Sequence, residues 1–395
     1  MAAPPLCALP LGSEDVADVA AEAMRRAIEG GRLGKCPGET FLHANYEAPG
    51  RVVAVGDVHG DLAQTLKVLK IAGLIEEQVG GEVTWVGGNA TLIQLGDLTD
   101  RGDFEVSNMC FFHNLRAQAQ AEGGNVFVLV GNHEALNVNG DFRYVTRGGF
   151  VETVGFHDLL SPSEEKEEKE ANIADTLGQL VRGVAVGSRG PPLDPTHALR
   201  ARLNMFAPGG LLAREMATYH TAMVINNVAF AHGGLHPHHA TFGLSALNAA
   251  TARWMRGEKT GDGVAGPPRL AVGGQDSVVW TRLYSKERFG TNSEEAIALA
   301  QLEDTLECLG LGDTGRMVVG HTPQMQGVNN ENLKGKLWKV DVGLSSGVLH
   351  ALPSCLEFGQ DGTAQVLTNW NPASASASSS TASAPKTEAT SATDA

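Results

Sequence analysis

Between residues 51 and 134 a short apolar run breaks three times into a polar loop and then into a helix-like segment. RVVAV (51–55) leads into GDVHGD and DLAQTLKVLKIAG. TLIQL (91–95) leads into GDLTDRGD and a helical stretch over 104–122, and VFVLV (126–130) leads into GNHEALN. In the first helical stretch Leu62, Leu66, Leu69 and Gly73 share one face, and Gly73 is placed to end the helix. Three consecutive strand–loop–helix units predict an α/β fold with a largely parallel sheet and crossover helices. Such sheets bind ligands outside the carboxyl ends of their strands, which is where all three loops fall.

The rest of the chain is arranged around this unit. Residues 14–29 read as a helix stopped by Gly30 and Gly31, within an N-terminal helical extension over 1–45. A catalytic domain is expected over 46–372. Its segment 151–215 is charge-rich and then helical, which predicts an inserted helical cap beside the site. In TAMVINNVAFAHGG, Asn226-Asn227 between two β-rich runs predicts a tight hairpin. Further strands are expected at 316–320, 337–343 and 347–353. The Ser/Ala/Thr-rich tail over 373–395 is expected to be disordered.

Chemistry concentrates at the strand ends. Asp57 and His59 follow the first strand, and Asp97 follows the second with Asp100, Arg101 and Asp103 behind it. Asn132, His133 and Glu134 follow the third. Two more histidines leave later apolar runs, His232 in VAFAHGGL and His321 in MVVGHTPQ. Each motif alone also reads as a helix-capping loop or a structural histidine. Five such loops together point to one metal-binding pocket. Oxygen and imidazole donors without thiolates suit Mn, Fe or Zn. Two ions about 3.5–4 Å apart would clamp the attacking and leaving oxygens of an in-line displacement, with one carboxylate bridging them.

Composition narrows the classes. A formal net charge of −15 disfavours nucleic-acid backbones and anionic membranes as partners, so a phosphate site needs local positive charge. The five cysteines are dispersed without a CxxC pair, which argues against a thiolate zinc site or a disulfide framework. No apolar run reaches membrane-span length, and the N-terminus lacks the features of a signal or transit peptide. A cytoplasmic, reducing location is expected.

GDVHGD, GDLTDRGD, GNHE, the later HGG and the later GHTP resemble the phosphoprotein-phosphatase branch of the calcineurin-like metallophosphoesterases. The resemblance spans about residues 50–350. Within the branch, GNHEALNVNGDFRYV and VVWTRLYS look most like the Shewanella-like protein phosphatases. The resemblance implies a β-sandwich flanked by helices. It also implies hydrolysis of phosphate monoesters on protein Ser/Thr or Tyr, by direct attack of a metal-bridging hydroxide.

Carried over by motif, the resemblance implies that Asp57, His59 and Asp97 hold one divalent ion. Asp97, Asn132, His232 and His321 would hold the other, manganese being the first choice and iron or zinc also compatible. His133 resembles the general acid, oriented by Asp100, while Arg101 and Arg282 resemble the residues that hold phosphate oxygens. Arg143 is a further candidate for substrate contact. VVGHTPQ and VDVGLSSG stand where the common serine/threonine phosphatases carry RAHQ and SAPNY. The toxin sensitivity and regulatory-subunit docking of those enzymes are therefore not expected.

Two alternatives share these residues. A dinucleoside polyphosphate hydrolase would need an aromatic or basic pocket for a base, and none is evident in the sequence. A catalytically inactive scaffold would not need every ligand, His133 and Arg101 retained. The cluster His236, His238 and His239 reads as an exposed, proline-punctuated loop rather than as a metal site.

Overall fold

The computed structural model describes residues 13–35, 42–78, 82–160, 173–185, 193–260 and 263–368. The chain begins with α1 (Ser13–Glu29), β1 (Asn45–Tyr46), β2 (Val52–Val55) and α2 (Leu62–Ile71). A hairpin of β3 (Ile75–Glu77) and β4 (Val83–Trp85) precedes β5 (Thr91–Gln94), α3 (Glu105–Ala121), β6 (Asn125–Val128) and α4 (Asn132–Val138). Four helices follow: α5 (Arg147–Leu160), α6 (Ile173–Ala185), α7 (Pro195–Phe206) and α8 (Leu211–Met216). β7 (Ala222–Ile225), β8 (Val228–Ala231), α9 (Pro237–Phe242) and α10 (Leu244–Met255) follow. After a small hairpin of β9 (Lys259–Thr260) and β10 (Gly263–Val264) come α11 (Arg269–Val272) and α12 (Asn292–Cys308). β11 (Arg316–Val319), β12 (Leu337–Lys339), β13 (Ser354–Phe358) and β14 (Ala364–Thr368) close the fold.

Ten strands make two five-stranded sheets, in the orders β14-β13-β2-β5-β6 and β1-β7-β8-β11-β12. The sheets face one another: Phe230 of β8 meets Phe358 of β13 edge-on, ring centroids 6.4 Å apart. Val52–Val55 and Thr91–Gln94 are buried at every position, because a second sheet covers one face and helices the other. Each fully buried Val, Leu, Ile or Phe here contributes roughly 1.5–3 kcal/mol. In α2, Leu62, Leu66 and Leu69 are the buried stripe. Asp61 caps its start by accepting from the Gln64 N–H at 3.0 Å, and Gly73 ends it at φ +60°. α3 packs on β6, α1 lies against α3 and α6, and α5 lies against α7.

The parallel expectation holds for only part of each sheet. β2, β5 and β6 run parallel, but β13 is antiparallel to both β2 and β14. The hairpin at Asn226-Asn227 forms as expected, Asn226 taking φ +53°. Two late strands need correction. Residues 347–353 are not a strand, since 345–350 turn sharply and Gly347 backs onto Arg101, where a Cβ would lie 2.1 Å from the Arg101 carbonyl oxygen. The run at 337–343 pairs only over Leu337–Lys339, after which Val340–Gly343 leaves the sheet.

The histidine cluster also differs from its expected exposed loop. His236 caps the short helix α9 and binds Thr281 Oγ1 and Gln301 Oε1 at 2.8 and 3.1 Å, while His239 is buried. Proline at the first position of α9 starts a helix instead of prolonging a loop. The helical segment expected from about 151 opens with α5 at Arg147. The acidic run at its centre (161–172) and the Ser/Ala/Thr-rich tail lie outside the described residues. Among the described residues no helix is long and apolar enough to cross a membrane.

Candidate functional site

Asp57 leaves β2, Asp97 leaves β5 and Asn132 opens α4 just beyond β6, all on the first sheet. His232 leaves β8 and His321 leaves β11 on the second. The sandwich brings these strand ends face to face. The Asp97 carboxylate lies 3.3 Å from His232 Nε2, 3.7 Å from His59 Nε2 and 3.9 Å from His133 Nε2. His232 Nε2 is also 3.0 Å from Asn132 Oδ1, and the His321 N–H donates to Asp57 Oδ1 at 3.2 Å.

Two overlapping groups have donor atoms within 4.8 Å of one another: His59, Asp97 and His133, and Asp97, His232 and His321. Asp97 is common to both. These side chains are all buried. Such a set fits divalent cations on several counts. His59 Nδ1 donates to the Thr99 carbonyl at 3.1 Å and His232 Nδ1 to the Leu95 carbonyl at 2.7 Å, which leaves both Nε2 lone pairs turned toward Asp97. His321 Nε2 is buried with no hydrogen-bond partner. Burial lowers His59 to about 4 and lowers His321 further still, so both imidazoles are neutral, the ligating form.

The carboxylates point the same way. Burial and the nearby Asp341 and Asp97 push Asp57 well above the ordinary range. Burial also works against Asp97, but His232 and His133 beside it outweigh that and hold it well below. This many buried carboxylates facing the neutral imidazoles of His59 and His321 is an environment that a cation stabilises.

Backbone geometry is strained at the same place. His59, Asp97, Asp100, Arg101 and His321 all have φ between +43° and +69°. Non-glycine residues pay about 1–3 kcal/mol for sparsely populated conformations, and such strain concentrates at functional sites. Glycines make the close approach possible: a Cβ on Gly131 would lie 2.1 Å from Asp97 Oδ1, and one on Gly320 would lie 2.5 Å from Asp57 Oδ1.

Beside the cluster His133 Nδ1 meets Asp100 Oδ2 at 2.5 Å, and its ring lies 5.0 Å from that of Tyr144. Burial lowers the His133 pKa, but Asp97 and Asp100 together raise it above the ordinary value. This imidazole can therefore carry a proton at neutral pH, and with Nδ1 held by Asp100 the free nitrogen faces the cluster. Arg101 stands over Tyr144 at 5.1 Å, and its charge acts on His59 and His133. Arg282 donates to Thr322 Oγ1 at 2.9 Å, and its charge acts on His321. A cationic fork thus flanks each of the two groups. Arg143 is exposed and bound to Asp141 at 2.6 Å.

The fold and this arrangement can be set against known proteins. Residues 50–188 match the profile of the calcineurin-like phosphoesterases. The chain is 33% identical to Shewanella-like protein phosphatase 2 of Arabidopsis thaliana, over 83% of this chain and 80% of that one. The chain belongs to the Shewanella-like protein phosphatases. It is 23% identical to Shewanella-like protein phosphatase 1 of Plasmodium berghei, over 76% of this chain and 69% of that one. Among solved structures, a cold-active protein-tyrosine phosphatase of a psychrophilic Shewanella has the same fold. Its TM-score is 0.54 at 23% identity, covering 85% of this chain and 86% of that one. As a Shewanella-like protein phosphatase the chain is a metal-dependent protein phosphatase with the calcineurin-like fold. These relatives do not favour the dinucleoside polyphosphate hydrolase alternative.

Several residues that build the site of this Shewanella-like phosphatase escaped the sequence reading. Asp341 lies in VDVG, which reads as strand. It instead follows β12 as Asp57 follows β2, and burial raises it to about 6. An apolar run broken by Asp was the available signal. An apolar cleft lined by Ala135, Leu136, Trp254, Val272 and Trp280 adjoins the site, and Trp280 lies 6.0 Å from the His321 ring. No aromatic pocket was evident in sequence because Trp254 and Trp280 come from separate segments.

Glu134 is the hub of the loop. It accepts from the N–H groups of Asp97 and Gly131 at 2.8 and 2.7 Å, of Leu98 and Thr99 at 2.9 and 3.1 Å, and from Thr99 Oγ1 at 3.1 Å. Burial raises its carboxyl, and these hydrogen bonds to the charged form act against that. Glu134→Gln would turn an amide NH₂ toward backbone donors. The expected cost is about 1–3 kcal/mol, seen as a Tm lowered by several degrees in metal-free protein. An unchanged Tm would show that the loop does not depend on this carboxylate.

Proposed function

We propose that this phosphatase hydrolyses phosphate monoesters on Ser, Thr or Tyr of protein substrates, using the pocket around Asp97. The observation that carries the reading is that Asp97 is shared by two groups of buried imidazoles, one of which, His133, is held by Asp100. Asp57, His59 and Asp97 would hold one divalent cation, and Asp97, Asn132, His232 and His321 the other. Manganese suits the oxygen and imidazole donors best, and iron or zinc also fits. The cations, when bound, would neutralise charge on the phosphoryl group and lower the pKa of a water molecule.

The remaining work falls to the chain itself. Arg101 and Arg282 approach from opposite groups, and their planar forks match phosphoryl oxygens bidentately. As the new bond from water oxygen to phosphorus forms, the ester P–O bond breaks. His133 gives its proton to the leaving oxygen, with Asp100 holding the imidazole in register. Tyr144, 40% exposed, forms an aromatic wall beside His133 and Arg101. The free thiols of Cys110, Cys308 and Cys355 support a reducing compartment. The acidic net charge supports protein partners over nucleic acid.

Phosphopeptides carrying phosphoserine, phosphothreonine or phosphotyrosine, assayed with and without manganese, test this directly. Phosphate release that requires the cation, with about two ions bound per chain, is expected. Hydrolysis of diadenosine tetraphosphate in preference to every phosphopeptide would overturn the reading. The ratio of kcat/KM for phosphotyrosine over phosphothreonine assigns the side chain.

A further inference from the structure

One buried cation stands behind the His133–Asp100 pair, its Nη2 3.9 Å from Asp100 Oδ1. Arg202, on the inserted helix α7, is fully buried. Its guanidinium lies among three phenylalanine rings, 4.2 Å from Phe206, 5.6 Å from Phe142 and 5.7 Å from Phe150. It donates from Nη2 to Glu105 Oε2 at 2.5 Å and from Nη1 to Thr153 Oγ1 at 3.0 Å. Its Nε and Nη2 both reach Asn137 Oδ1, at 3.1 and 2.6 Å. Asn137 passes this on: its amide donates to Asp100 Oδ1 at 3.0 Å and to the His133 carbonyl at 3.0 Å. The other oxygen of Asp100 holds His133 Nδ1.

A continuous hydrogen-bonded chain thus runs from the inserted helix through Arg202, Asn137 and Asp100 to His133. Each link fixes the next. Asn137 can donate to Asp100 only with its carbonyl oxygen turned the other way, toward Arg202, which sets its amide orientation. Asp100 with one oxygen so occupied is left with the other for the imidazole. The insertion is clamped in turn, because Asp158 of α5 binds His157 Nδ1 at 2.9 Å and His197 Nε2 of α7 at 2.9 Å.

We propose that Arg202 is a positioning residue, through which the inserted helix α7 sets the orientation of the His133–Asp100 pair by way of Asn137. The inference rests on the reading of His133 as the proton donor to the leaving oxygen. It makes the inserted segment part of the catalytic apparatus, not only a wall beside the cleft. It also explains why a guanidinium is buried far from solvent: lysine could not bridge Glu105, Thr153 and Asn137 with one planar group.

The test uses leaving groups of different quality. A phosphoserine peptide releases a poor leaving alkoxide and needs the proton, whereas p-nitrophenyl phosphate releases a stable phenolate and needs it little. His133→Asn serves as the reference, and its loss should fall mainly on the peptide. Arg202→Met is expected to show the same signature in weaker form. Its kcat on the peptide should fall by roughly 10–100-fold, short of the ~10²–10⁴-fold attributed to general acids. The p-nitrophenyl phosphate rate should change by less than about threefold, with KM and bound metal unchanged.

Because Arg202→Met leaves Glu105 unpaired, the double variant Arg202→Met/Glu105→Gln and the single variant Asn137→Leu are measured beside it. Both should reproduce the signature. Equal losses on the two substrates in all of these variants would overturn the inference, since a purely structural role lowers both rates together. If His133→Asn itself shows no leaving-group dependence, the assignment of His133 fails instead.

Discussion

Asp97→Asn is expected to abolish turnover, lowering kcat/KM by more than ~10³-fold, and to strip the protein of bound metal. Loss of one electrostatic contact in an active site commonly costs ~10²–10³-fold. Here one substitution acts on two sites at once. Asp97 belongs to both groups of candidate ligands, and its Oδ2 faces His59, His133 and His232. An asparagine can still accept the His133 N–H that Asp97 Oδ1 receives at 2.9 Å, so the loop is expected to keep its shape. Asp57 and Asp341 would lose a repelling neighbour. The metal-free variant should therefore unfold no earlier than metal-free wild type, which separates loss of metal from loss of fold. Metal analysis and thermal unfolding, read together, check this. Two tightly held ions and wild-type turnover in Asp97→Asn would remove the shared carboxylate from the centre of the site.

His133→Asn is expected to slow hydrolysis by roughly 10²–10⁴-fold while leaving metal content intact, the range for a lost general acid. His133 presents one nitrogen to Asp100 and the other toward the cluster, so it is a proton donor and a possible ligand by geometry alone. Metal content discriminates these roles. An acid can be removed without loosening an ion, and a ligand cannot. The raised pKa of His133 adds a directional expectation for the wild type. The protonated fraction persists above the ordinary imidazole range, so the alkaline limb of kcat on a phosphoserine peptide should lie above pH ~6.5. In His133→Asn that limb should disappear. Full activity at neutral pH in this variant, or loss of an ion, would end its assignment as acid.

Much of the molecule could be read from local spacing. Asp57, His59, Asp97, Asn132 and His133 lie within a few residues of a strand end, and a strand that stops at a glycine aims its next polar side chains at the sheet's edge. The α/β class and the helices at 14–29, 62–73 and 104–122 follow from periodicities of a few residues. The misjudged parts lie where local signals compete. GVLHALP has the composition of a strand, yet the chain turns there because Gly347 must pass against Arg101. LHPHHA has the polarity of a surface loop, yet proline starts a helix and Thr305 Oγ1 donates to the Leu235 carbonyl at 3.3 Å, tying its start to α12.

Sequence alone determined which side chains stand at strand ends, since that depends only on neighbours along the chain. Only the tertiary structure decided how the two sheets oppose one another. That packing carries His232 to Asp97 and Asn132, a hundred positions away along the chain from the latter. It also delivers Asp341 to Asp57, and Arg202 to an asparagine 65 residues earlier. Contacts over such separations are set by which apolar faces bury each other, and no short spacing along the chain encodes them.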